Sequence, residues 1–144
     1  MAVGDITVFD EAKIALLDGT HDLDTHVIKC AVLDNTVAPT AADASPTLTS
    51  GGKLEVGGGS YIAGGITLAG ITLPEVAGTV TVDSTTNPTW AANGSNDTDA
   101  SWGLIYNDTS AGDQAIAFVE LGTVDMQAGA LTINWDDLGI FTLA

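Results

Sequence analysis

The stretch Leu104–Gly122, LIYNDTSAGDQAIAFVELG, decides how the chain is read. An apolar run breaks at a cluster of Asn, Asp, Thr, Ser and Gly and then resumes. Read as chemistry, the cluster is a metal loop or a piece of a catalytic site. Read as architecture, it is the turn of a hairpin. Gly112 offers the positive φ that a tight loop needs, and the side chains of Asn107 and Asp108 can bond backbone groups that a ladder leaves unpaired. The spacing predicts strands over Ser101–Tyr106 and Ala115–Leu121, joined by the loop Asn107–Gln114.

Working outward, the same pattern covers most of the chain. Thr25–Leu33 is rich in β-formers and places His26, Ile28, Cys30 and Val32 on one face. Ile66–Leu73, Thr79–Asp83, Leu131–Trp135 and Ile140–Leu143 read as further short strands, with a fainter signal at Lys53–Val56. Phe9–Gly19 is the exception. Asp10 suits a helix N-cap, Phe9 and Ile14 are spaced for a hydrophobic staple, and Gly19 provides a left-handed stop. So short a helix has to dock, and its Ile14/Leu17 face is the expected contact. Without βα alternation, a parallel sheet is disfavoured. The expected fold is all-β: an antiparallel β-sandwich or barrel of about seven or eight short strands with one short N-terminal helix. One domain should span residues 1–144. Residues 1–9 and 34–59 read as extended arms or loops, since 34–59 exceeds the ~12–15 residues at which an ordinary loop is already uncommon.

Composition restricts the function. Lys13, Lys29 and Lys53 are the only cations among 144 residues, there is no arginine, and 19 acidic residues leave a formal charge of −16. Nucleic-acid binding requires clustered cations to displace counterions from phosphates, so that partner class is excluded, and anionic membrane surfaces with it. The longest apolar runs fall far short of the ~20 residues of a spanning helix. The N-terminus has no basic segment ahead of an apolar one, so the expected site of synthesis is a cytoplasm. Cys30 is the single cysteine. Its apolar surroundings favour a buried, inert thiol.

Four clusters invite chemistry. His21 and His26, with Asp22 and Asp24 between them, place bases beside carboxylates, yet no nucleophile motif accompanies them. They read as a helix-to-strand turn in which Asp22 or Asp24 takes loose backbone N–H groups. Asp97, Asp99 and Ser101 alternate as in a calcium loop, and Asp108 follows at a suggestive distance. Trp102, however, occupies the position of the required glycine, so exposed turn is the competing reading. Gly57–Gly59 lacks the Lys-Ser/Thr ending and the helix of a phosphate loop, which leaves a bulged connector anchored by Tyr61. The aromatics, Trp90 among them, fall in or beside strands. No catalytic, cofactor-binding or metal site is assigned, and no enzyme activity is expected.

Three stretches together resemble a family. Lys13–Asp34 (KIALLDGTHDLDTHVIKCAVLD), Tyr61–Leu73 (YIAGGITLAGITL), and Leu104–Gly122 followed by Gly129–Leu143 (GALTINWDDLGIFTL) are similar to small virion structural proteins of tailed bacteriophages. The resemblance implies a non-catalytic capsid decoration (cement) protein that binds and stabilises the assembled head shell. Its expected partners are the major capsid protein and further copies of itself, and its expected location is the capsid exterior. A tail, neck or fibre-associated virion protein is the alternative within that class. A calcium- or carbohydrate-binding module for host-surface attachment is the alternative outside it, and requires Asp97, Asp99 and Trp90 to be exposed together.

Overall fold

In the computed structural model, which describes residues 4–135 and 139–144, the quoted stretch is a β-hairpin. Along the chain run β1 (Ile6–Val8), α1 (Asp10–Leu17), β2 (Ile28–Leu33), β3 (Ile66–Thr67), β4 (Glu75–Val76), β5 (Thr79–Val82), β6 (Thr89–Trp90), β7 (Ala100–Asn107), β8 (Gln114–Val124), β9 (Leu131–Thr132) and β10 (Phe141–Leu143). The strands form three antiparallel sheets, ordered β1-β8-β7-β2-β3, β10-β5-β4 and β6-β9. The expected all-β class with one N-terminal helix therefore holds, and among the described residues no sheet closes into a barrel. β1, β4 and β6, which the sequence pattern does not reveal, bring the strands to ten among the described residues.

β2, β7 and β8 form the centre, and covering both of their faces is what shapes the rest. No residue of β7 is exposed. On one face Phe118, opposite Leu104, meets the ring of Phe9 at 4.9 Å and the edge of Trp102 at 6.1 Å. On the other, Val119 lies opposite Gly103, and a Cβ on Gly103 would fall 2.8 Å from Val119 Cγ1 and 2.7 Å from Ile133 Cδ1. A strand covered on both sides reads as a continuous apolar run, as AIAFV (Ala115–Val119) does.

The ladder is interrupted where the helix is attached. Ile105 pairs with Ala117 and Tyr106 with Ala115, leaving Ile116 as an extra residue in β8. A bulge of this kind locally disrupts the β7–β8 ladder, while the β1–β8 register on the other edge of β8 continues past Val8. The Ile116 carbonyl accepts the Phe9 N–H at 3.0 Å, at the point where β1 gives way to α1.

The helix docks on a different face from the expected one. Phe9, at 0% exposure, occupies the N-cap position, and α1 buries Ala12, while Ile14 and Leu17 are 65% and 90% exposed. Phe9 therefore packs inward on Phe118 instead of stapling to Ile14. Asp10 stands inside the first turn and pairs with Lys13. The stop is as expected: Gly19 follows the helix with φ +81°.

Segment 34–59 is a loop packed on its own sheet. Its far end runs beside β2, through Asp34 N–H to Leu54 O and Val56 N–H to Val32 O, both 3.0 Å. Its middle crosses to β8, where Ala115 N–H donates to Pro46 O at 2.8 Å. The Lys53 ammonium, 2% exposed, reaches Asp43 at 2.7 Å and the Ser50 carbonyl at 3.0 Å, closing the loop on itself. Of the expected arm at 1–9, residues 1–3 lie outside the described residues, and within 4–9 β1 pairs with the edge of β8. In both places backbone groups that a free arm would leave to solvent are bonded within the chain.

The docking face is testable by urea unfolding. Phe9→Ala should cost about 3–5 kcal/mol as a buried ring is lost. Leu17→Ala should change stability by less than about 0.5 kcal/mol, as surface substitutions do. Comparable losses from the two would restore the expected Ile14/Leu17 contact.

Candidate functional site

The two histidines do come together, but around a partner 81 and 86 residues away. The Asn107 side chain is fully buried at the end of β7. Its Oδ1 accepts the N–H groups of Thr109 and Ser110 at 3.0 and 3.2 Å, which fixes the orientation of the amide. The amide nitrogen then faces His21 Nδ1 at 3.1 Å and His26 Nδ1 at 2.9 Å, and donates to both. Each imidazole is thereby set with its acceptor at Nδ1 and its proton at Nε2. His26 Nδ1 also receives the Asp22 N–H at 3.3 Å.

Nothing here pairs a base with a nucleophile. The Asp22 carboxylate is bonded by the N–H groups of Asp24 and Thr25 and by the Thr25 hydroxyl, the turn role expected of it. Those hydrogen bonds, the Thr25 hydroxyl foremost, hold its carboxyl below the ordinary range. Burial depresses the pKa of His21, helped by neighbouring His26 and opposed by Asp18. The cluster clamps the helix-to-strand turn onto the β7–β8 loop. Of its members, Asn107 is the one sequence reasoning missed as a partner: its turn role is legible, its long-range bonds are not.

The acidic loop at 93–101 is a second clamp. Asp97 Oδ2 accepts the Gly57 N–H at 2.7 Å, and Gly57 O accepts the Asp97 N–H. Asn96, 1% exposed, accepts from Ser60 N–H and donates to the carbonyls of Ala91 and Met126. Among the described residues, no group of three or more His, Cys, Asp or Glu is placed to hold a metal ion.

The glycines that resembled a phosphate loop are explained by this clamp. A Cβ on Gly58 would lie 1.8 Å from the Ser95 carbonyl oxygen, and one on Gly59 would lie 2.4 Å from Asn93 Oδ1. Tyr61 anchors the connector as expected. Its hydroxyl accepts the Val32 N–H at 3.0 Å and donates to Glu55 at 2.6 Å, and its ring stacks on Trp90 at 6.0 Å. Trp90 is 2% exposed, so it is not presented with Asp97 and Asp99 as a ligand-binding face would need. Cys30 has no exposure, and burial pushes its thiol up to about 12.

What the chain offers outward is a surface. All three lysines are engaged by its own carboxylates: Lys13 with Asp10, Lys29 with Asp108 and Lys53 with Asp43. The apolar side chains left in solvent include Ile14, Leu17, Leu54, Ile62 and Val76. No helix among the described residues is long and apolar enough to cross a membrane.

The histidine clamp has a signed pH dependence. Because the folded-state pKa of His21 lies below its ordinary 6.5, the unfolded chain takes up a proton that the folded chain refuses. Stability should therefore be full above that value and fall as pH drops through it. Urea midpoints at about pH 7.5 and about pH 5.5 should differ in the wild type and converge in His21→Gln. An unchanged difference in the variant would remove His21 as the cause. The lowered carboxyls of Asp18 and Asp22 titrate in a more acidic range and do not enter this window.

No family model matches the chain, and neither the curated proteins nor the solved structures searched gave a match.

Proposed function

We propose that the chain is a capsid decoration (cement) protein of a tailed phage, binding the major capsid protein on the exterior of the assembled head shell and associating with further copies of itself. The role is structural and non-catalytic. The observation that carries this reading is the character of the surface: a formal charge of −16 in which every cation is already paired within the chain, combined with aliphatic side chains left in solvent.

Such a surface is repelled by packaged nucleic acid, which suits the outside of a shell. It meets partners by apolar contact and through cations that the partner supplies. The resemblance of three stretches to small virion proteins points the same way. The buried polar clamps favour a rigid body over a catalytic one, since their groups are occupied by one another.

The test is co-sedimentation of the purified chain with shells assembled from the cognate major capsid protein. The chain should pellet with the shells at saturating stoichiometry and raise their melting temperature. Failure to pellet would contradict the proposal, and a few copies per particle would indicate a tail or neck position instead.

A further inference from the structure

An apolar groove of about 400 Å³ lies between the end of α1 and the small β10-β5-β4 sheet, with Leu17, Leu23, Leu73, Val82 and Leu143 on its walls. Leu17 at 90% exposure and Leu73 at 43% leave its mouth open, and Ile14, one turn before Leu17, extends the apolar strip. Isolated exposed aliphatics are ordinary on a protein surface. A concave group of them is not, and marks a contact site.

The rim is of one sign. Asp22 and Asp24 line the groove, and Asp18 stands between two further lining residues, Leu17 and Gly19. Glu75 lies opposite Val80 in the β4–β5 register, so it shares the sheet face on which Val80 lines the groove. Asp18 and Asp22 are hydrogen-bonded to Thr20 and to Thr25 respectively, and both carboxyls are held below the ordinary range by those bonds. No lysine lines the groove, and the nearest along the helix, Lys13, is turned to Asp10.

We infer that this groove is the docking site for the shell subunit, receiving an aliphatic side chain flanked by lysine or arginine. The inference rests on the decoration-protein reading and specifies where that contact is made. Charge complementarity selects the occupant. A second copy of the chain would bring a like-charged rim to the same place, which costs energy, whereas a basic partner gains from each carboxylate it meets.

The test compares wild type, Leu17→Asp, Asp24→Lys and Ile62→Asp in binding to shells of the cognate major capsid protein. Ile62 is 61% exposed and outside the groove lining, so it adds the same charge elsewhere on the surface. Leu17→Asp and Asp24→Lys should each weaken binding by roughly tenfold or more, as expected of an apolar contact at the mouth and its acidic rim, while Ile62→Asp stays within about twofold. Added salt should weaken the wild type. Circular-dichroism melts of each variant establish that these exposed substitutions leave the fold intact. Equal binding by Leu17→Asp and Ile62→Asp would overturn the groove assignment and leave the decoration reading standing. No binding by the wild type would overturn that reading and the occupant with it. Loss of self-association in Leu17→Asp, seen by analytical ultracentrifugation without shells, would assign the groove to a homotypic contact and overturn the inference.

Discussion

The β7–β8 ladder carries side chains that must be kept from water on both of its faces. Phe118, Leu104 and Trp102 need cover on one side, and Val119, Ile105 and Cys30 on the other. A sheet of this length cannot cover itself, so the segments before and after it are recruited. Phe9 meets Phe118 on one face, and Ile133 reaches the other through the space that Gly103 leaves open. The β1–β8 register, continued by one residue, ties these requirements together, because the Ile116 carbonyl receives the Phe9 N–H as the chain enters α1.

Loops that cover a sheet bring buried backbone groups with them, and those groups require partners. The chain satisfies them with side chains from distant segments. Asn107 holds two imidazoles, Asn96 holds Ser60, Ala91 and Met126, and Glu55 receives both the Tyr61 hydroxyl and the Gly64 N–H. Residues that look like candidate chemistry in the sequence are therefore bonding partners in the fold. Histidine, asparagine, aspartate and tyrosine are as useful for closing loops as for catalysis.

That double use explains what the sequence revealed and what it hid. The hairpin was legible because Asn107–Gln114 combines turn residues with apolar runs on both sides, and β5 because TVTV alternates cleanly. β1, β4 and β6 were not, since each is two or three residues long and no longer alternating run flags it. The helix was legible in position and in its Gly19 stop, but its docked face was misread: Leu17 outranks Ala12 in hydrophobicity, yet the burial of Phe9 turns Ala12 toward the sheet and Leu17 away. The 34–59 loop lacks periodicity, and its attachments to β2 and β8 depend on tertiary pairing that no local pattern encodes. The groove beside α1 was hidden for the same reason, because its walls come from four separate stretches of the chain.

With every lysine paired to a carboxylate of the chain, the outer surface presents acid and exposed aliphatic groups. Decoration of a capsid shell is the role proposed for that surface. The most direct measurement of that proposal is a cryo-electron-microscopy map of the intact particle in which the chain is proposed to sit. Density for the β7–β8 sheet repeated over the outer face of the head, with the α1 end toward the shell, is the result predicted. Density confined to the tail or neck, or a particle without the chain, would contradict it.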